Sequence, residues 1–377
     1  MKKITIVILV LSIVLAACLL FTGCEYDLGI EGIEINEDGE LILKMPDGTV
    51  KNIGEGFDTG NFNIDVTNVE ILNTEVIDGY LWITYAVAPD TPIKLGKIKH
   101  DGTEGLCFNL LSDGTYGVKA GETIDLEEIV IPATYGGIAV TQILPNAFEG
   151  AANLKNIFIP DSIMTIEDRA FYGCSSLISI DIPDTVTYIG NSAFCNCSSL
   201  TSIEVPYRVK SIGYDAFRGC SSLTSAKIGY SVTNLGSGAF YKCSNLTSIT
   251  LGKNITGISQ KAFYGCSSLT SITIPDSVTY IGEYAFFDCN KLTSVRIPES
   301  VTSIYNWAFA HCKSLINVRI PCKVESIGKG AFLGCNSLST IYFDGTKKQW
   351  NAISKKNLWN DSTGDYTIHC TDGNITK

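Results

Sequence analysis

Histidine is nearly missing from this chain of 377 residues, which holds only His100, His311 and His369. Scattered singly, they give no footing for the acid–base and metal chemistry that usually recruits this side chain. Positive charge is also short. Lysine and arginine number 28 against 39 carboxylates, a net charge of -11 with a pI near 4.8. Nucleic acid is therefore a poor partner, because phosphate binding needs a concentrated basic face to displace counterions. The chain also lacks G-x-S-x-G, H-E-x-x-H, a phosphate loop and any Ser-His-Asp or His-Cys constellation, so no catalysis, metal or cofactor is expected. Cysteine is plentiful, at 14. Most of these cysteines keep one fixed spacing, which excludes a small disulfide scaffold.

What the sequence does have is a step. Ala-Phe recurs every 23 residues, at Phe148, Phe171, Phe194, Phe217, Phe240, Phe263, Phe286, Phe309 and Phe332. Nine turns without an insertion mean that each unit stacks on an equivalent neighbour, which is a solenoid. The coil starting at Leu269 shows why. Leu269, Ile272 and Ile274 suit a short strand ended by Pro275, Val278 and Ile281 a second extended piece, and Ala285-Phe286 a tight helical corner eased by Gly282. Six apolar side chains at ~2 kcal/mol each fall short of ordering a coil of 23 residues at ~1 kcal/mol or more per residue, so stacking is obligatory. With strands ~4.8 Å apart, eight steps span about 38 Å.

Cys174, Cys197, Cys220, Cys243, Cys266, Cys289, Cys312 and Cys335 hold one slot of this repeat, with Ala151 in the same slot of the first coil. Parallel Cβ vectors in such a column suit neither disulfides nor a four-ligand zinc site, so buried free thiols are expected. Cys195 replaces a tyrosine and Cys322 an aspartate, and both are expected to be more exposed and reactive than the column.

Before the repeats, Lys2 and Lys3 precede an apolar run from Ile4 to Phe21 that ends in Thr22-Gly23-Cys24, the pattern of an export signal rather than a retained span. Phe21-Thr22-Gly23-Cys24, and less well Leu15-Ala16-Ala17-Cys18, resembles a bacterial lipobox. That resemblance implies an acylated Cys24 and a membrane anchor. Residues 1–24 are thus a signal, and 25–105 read as small β-hairpin modules or a stalk. Their turns are signalled by Asp38-Gly39, Asp47-Gly48 and Asp78-Gly79, with a linker at 55–63. Residues 106–143 read as an N-terminal cap with the first coil, 144–340 as the repeats, and 341–377 as a C-terminal cap in which Trp350 and Ile353 cover the last coil.

The period Leu-x-x-Ile-x-Ile-Pro-x-x-Val-Thr-x-Ile-Gly-x-x-Ala-Phe-x-x-Cys-Ser-Ser, nearly whole from Leu177 to Ser199, resembles the BspA-like leucine-rich repeats of bacterial surface proteins. The resemblance covers about Leu106 to Asp372. It implies a β-rich curved solenoid of short parallel strands with the Leu-x-x-Ile-x-Ile strands on one long sheet, and a role in adhesion, matrix binding or aggregation. Gly229 and Gly252 replace the proline, Ala226 an isoleucine, and Ser259 and Tyr305 the glycine.

Strand alternation then leaves two outward columns. One is small and hydroxylic: Asn156, Ser179, Ser202, Ser225, Ser248, Ser271, Ser294, Asn317 and Thr340. The other varies, from acidic to basic along the chain: Phe158, Asp181, Glu204, Lys227, Thr250, Thr273, Arg296, Arg319 and Tyr342. Free of packing duty, this second column is the expected ligand-binding face. Tyr172, Tyr188, Tyr207, Tyr214, Tyr230, Tyr241, Tyr264, Tyr280, Tyr284 and Tyr305 suit either a binding patch or corner cover. The reading is an exported, lipid-anchored cell-surface protein that binds an extracellular protein or glycan. The alternatives are a glycan-capturing or glycan-processing lipoprotein, with carboxylate pairs such as Glu127-Glu128 to consider, and a spacer that displays something else.

Overall fold

The computed structural model describes residues 103–121 and 127–376, together with six strands ahead of them. The chain divides into two compact units, Met1–Lys99 and His100–Lys377. In the first, Gly32–Ile35, Leu41–Lys44 and Val50–Asn52 form one antiparallel three-stranded sheet, and Ile71–Ile77, Tyr80–Tyr85 and Ile93–Lys97 form another. The export signal with Cys18 and Cys24, the turns at Asp38-Gly39, Asp47-Gly48 and Asp78-Gly79, and the linker at 55–63 lie outside the described residues.

The second unit is a β-solenoid of about 11 turns with 23-residue coils and almost no helix. Every apolar slot of the coil faces inward: Leu269, Ile272, Ile274, Val278, Ile281, Ala285 and Phe286 are all buried. The nine phenylalanines of the step form one continuous column, with ring centroids 5.1–5.7 Å apart and planes within 13° of parallel. Trp359 closes its end edge-on to Phe332 at 6.3 Å. Trp350, Ile353 and Tyr366 are buried around it, and Phe343 meets the Trp350 ring at 5.2 Å.

The corner differs from the helical turn expected of it. It is a run of overlapping four-residue turns, with the N–H of Ala285 donating to Gly282 O, Phe287 to Tyr284 O, and Cys289 to Phe286 O, at 3.2 Å each. Tyr284 and Asp288 are the third residues of the first and last of these turns, at φ 56° and 57°, and this left-handed pair recurs at Arg169 and Gly173, Ser192 and Asn196, and Asp215 and Gly219. A helix cannot pass through positive φ, so the chain bends there instead. The bend therefore does not come from Gly282. A Cβ on Gly282 would lie 2.7 Å from Ile258 O and the Ser259 carbonyl carbon, so that glycine serves close approach between coils.

Corners also carry their own ladder from coil to coil, such as Phe286 N to Ala308 O at 2.7 Å and Tyr284 N to Asn306 O at 3.0 Å. This explains a second departure. The Leu-x-x-Ile-x-Ile face is not one long sheet but three pieces: Glu128–Val130 with Asn156–Phe158; Ser202–Val205, Ser225–Ile228 and Ser248–Thr250; and Ser294–Arg296 through Gly373–Thr376. Where strand pairing lapses, around residues 179–182 and 271–274, the corner ladder and the Phe column still hold the coils in step. The opposite face is an eight-stranded sheet from Leu106–Leu110 to Asn234–Leu235, then a four-stranded one from Tyr280–Ile281 to Ser354–Lys355.

The eight column cysteines are free and fully buried. Each Sγ donates to the carbonyl of the Phe in the coil before, from Cys174 to Phe148 O at 3.1 Å through Cys335 to Phe309 O at 3.1 Å. The slot thus takes a small side chain that is also a weak donor, which alanine is not. Burial pushes the thiols of Cys220, Cys243, Cys266 and Cys289 well above the ordinary cysteine value. Cys195 corrects an expectation: its residue is 4% exposed, and burial raises its thiol as well. Its short side chain lies one coil step from the much longer Tyr172 and Arg218. Cys322 is exposed, as is Cys107. A soluble alkylating reagent is expected to modify Cys107 and Cys322 in the folded chain and to reach Cys195 and the column only on unfolding. Peptide mass mapping reads the order, and early modification of Cys243 or Cys195 would contradict it.

Candidate binding face

On the Leu-x-x-Ile-x-Ile face, buried and exposed residues alternate, as in Ser202–Val205 with Ile203 and Val205 inside and Ser202 and Glu204 outside. Paired strands are in register, with Glu204 beside Lys227 and Thr250, and Arg296 beside Arg319 and Tyr342. All nine residues of the variable column, Phe158, Asp181, Glu204, Lys227, Thr250, Thr273, Arg296, Arg319 and Tyr342, are exposed. The hydroxylic column is more crowded: Ser225, Ser294, Asn317 and Thr340 are half-buried.

The run from acid to base is partly neutralised on the surface. Lys227 pairs with Glu204, Arg296 lies 3.9 Å from Asp276, and Arg319 forms a two-pronged pair with Asp344 at 2.7 and 2.9 Å. Such exposed pairs contribute little to stability, and their effect here is to fix where charge is presented. No basic partner meets Asp181 among the described residues. At the far end His369 stacks on Tyr342 at 5.5 Å and extends the column by one more residue.

The strand pattern does not reveal a third outward column. The residue after the proline of each coil also faces this side, giving Asp184, Tyr207, Tyr230 and Lys253 in successive coils. Together with Asp181, Glu204, Lys227 and Thr250 they line a concavity of about 820 Å³. Tyr207 and Tyr230 are exposed and stacked, with centroids 5.8 Å apart and planes 19° from parallel. The guanidinium of Arg208 lies 5.8 Å from the centre of the first ring and Lys253 Nζ 6.0 Å from the second. The signal for this column was the variability of one slot, which reads Asp161, Asp184, Tyr207, Tyr230, Lys253, Asp276, Glu299 and Cys322 along the chain.

Other tyrosines cover corners. Tyr241, Tyr264 and Phe287 stack in sequence at 4.8 Å, and Tyr284 stacks on Trp307 at 4.9 Å, all half-buried. Glu127 and Glu128 do not converge. Glu127 pairs with Lys155 at 2.8 Å and Glu128 accepts from Asn156 Nδ2 at 3.1 Å, and as neighbours in an extended segment they point to opposite sides.

A family model described as the BspA type leucine rich repeat region matches residues 121–247 and 233–362, in six copies. Among solved structures the chain is similar to the leucine rich repeat protein of T. pallidum, at 27% identity over 56% of this chain and 89% of that one, with a TM-score of 0.46. It is similar to a leucine-rich repeat protein from Bacteroides ovatus, at 24% identity over 71% and 98% of the two chains, TM-score 0.32. It is also similar to a leucine rich cell surface protein from Faecalibacterium prausnitzii, at 25% identity over 67% and 96%, TM-score 0.29. No curated protein matches the chain.

Proposed function

Because the chain belongs to the BspA type leucine-rich repeat family, we propose that it is a non-catalytic, exported interaction protein, held at a membrane surface through Cys24, that binds an extracellular partner with its sheet face. One observation carries this reading. Slots that build the coil are filled alike from turn to turn, while nine exposed positions in step along one face differ in charge and size. Side chains released from packing are where a stacked scaffold stores specificity.

The test uses cells displaying the full chain, incubated with immobilised extracellular matrix proteins and glycans. Charge reversal by Arg296→Glu and Arg319→Glu is expected to reduce capture about tenfold while unfolding stability stays within ~0.5 kcal/mol, both positions being exposed. Cys24→Ser should release the chain from the cells without altering what the purified chain captures. Capture that ignores the double reversal would remove the sheet face from the reading. No saturable capture at all would favour a display spacer.

A further inference from the structure

Departures from the repeat rule at the proline end of the strand are grouped, while Cys195, Tyr305 and Cys322 depart singly elsewhere. Ala226 in place of isoleucine, Gly229 and Gly252 in place of proline, and the only two tyrosines in the post-proline slot fall within three consecutive coils. Those coils line the 820 Å³ concavity. The two glycines are there because the coils close tightly: a Cβ on Gly229 would lie 2.2 Å from Pro206 O, and one on Gly252 2.3 Å from Gly229 O. The glycines stand immediately before Tyr230 and Lys253 of the lining. The proline is replaced by glycine in these two coils of the repeat, and beside them lies an aromatic-sided hollow.

The hollow has a polarity. Its lining forms a grid of four rows, one per coil: Asp181 with Asp184, Glu204 with Tyr207, Lys227 with Tyr230, and Thr250 with Lys253. The first row is doubly acidic, the middle pair presents stacked rings with the Glu204–Lys227 ion pair beside them, and the last row carries the ammonium of Lys253, which has no carboxylate partner among the described residues. Three steps of ~4.8 Å make the grid ~14 Å long, the reach of about four extended residues at ~3.3 Å each. Neither a uniformly charged nor a wholly apolar ligand complements all four rows.

We propose that this hollow is a peptide subsite. It takes a short extended segment of a protein partner, with a basic side chain over Asp181 and Asp184, apolar residues against Tyr207 and Tyr230, and an acidic side chain at Lys253. The basic group meets two carboxylates that have no basic partner among the described residues, and it can also reach a tyrosine face. Tyrosines are effective in such anchoring roles because each ring offers much contact area for little lost freedom. The subsite rests on the interaction role proposed above and narrows it to one place and one ligand pattern.

The test immobilises the peptides Arg-Pro-Leu-Pro-Glu, Glu-Pro-Leu-Pro-Glu and Gln-Pro-Leu-Pro-Gln, beside a glycan array, and measures binding of the full chain. Saturable binding should be at least tenfold stronger for the Arg/Glu peptide than for either control. The double variant Asp181→Lys/Asp184→Lys should reverse that order and favour the Glu/Glu peptide. Tyr207→Ser/Tyr230→Ser should weaken all peptide binding without changing the melting profile. Equal binding of the three peptides, an order unmoved by the double variant, or Tyr207-dependent binding to glycans alone would each overturn the proposal. If the peptides fail while capture still depends on Arg296 and Arg319, the subsite falls and the sheet-face reading stands.

Discussion

Phe240→Ala is expected to destabilise the solenoid by about 4 kcal/mol, the upper half of what truncating a buried phenylalanine costs. The ring is fully buried and sits at the middle of the column, 5.2 Å from Phe217 and 5.7 Å from Phe263, so truncation removes two ring contacts and leaves a hole between coils. Phe148 has one ring neighbour in the column, Phe171 at 5.3 Å, and Phe148→Ala should cost nearer 3 kcal/mol. The larger consequence concerns cooperativity. In a stack, each coil is stabilised only through its neighbours, so a weak central interface lets the two halves unfold apart. Urea unfolding should show a lower midpoint and also a shallower slope for Phe240→Ala, whereas Phe148→Ala should move the midpoint and leave the slope nearly alone. Equal effects from the two variants would mean that the column is not a continuous spine.

The inside of a coil was legible in the sequence, while the contacts between coils were not. Leu269, Ile272, Ile274, Val278, Ile281, Ala285 and Phe286 could be assigned to the core because a strict step repeats one packing problem, and any slot that is apolar in every turn must face inward. Spacing along the chain carries no information about what lies one coil away. Gly282 looked like a bend because its flexibility is visible in the sequence, whereas the approach of Ser259 that requires it is not. Tyr284, which does bend the chain, is a residue type that gives no warning of positive φ, whereas the slot of Asp288 holds glycine in other coils, as at Gly173 and Gly219, and so carried a signal. Cys195 fills a slot that holds tyrosines elsewhere, which points to exposure, yet the stacked coils bury it. For the face, alternation along the strand gave two columns. The third, with Tyr207 and Tyr230, lies past the proline where strand logic ends, and it appears only once the coils are stacked.

Gly236→Val is expected to cost about 3 kcal/mol, at the top of the usual range for overpacking, because the obstacle is backbone and cannot swing aside. A Cβ at this position would lie 2.3 Å from Gly213 O and 2.4 Å from the Gly213 carbonyl carbon. The N–H of Gly236 donates to Ile212 O at 2.9 Å, so moving the coil away to admit a side chain stretches a ladder bond as well. The chain itself suggests which substitution is tolerated. One coil later Ser259 fills this slot while buried, and its hydroxyl donates to Leu235 O, the carbonyl equivalent to Ile212 O. Gly236→Ser should therefore retain a bond to Ile212 O and lose about 1 kcal/mol less than Gly236→Val. Gly150→Ala separates steric from conformational cost: Gly150 has φ 75° and nothing within 4 Å of its would-be Cβ, so only the left-handed penalty of about 1 kcal/mol applies. Urea titration of the three variants should rank them valine, then serine, then alanine, in order of decreasing loss. A valine variant as stable as the alanine one would show that coil spacing is set by side chains alone, and the rigid 23-residue step would need a cause other than backbone contact at the glycine.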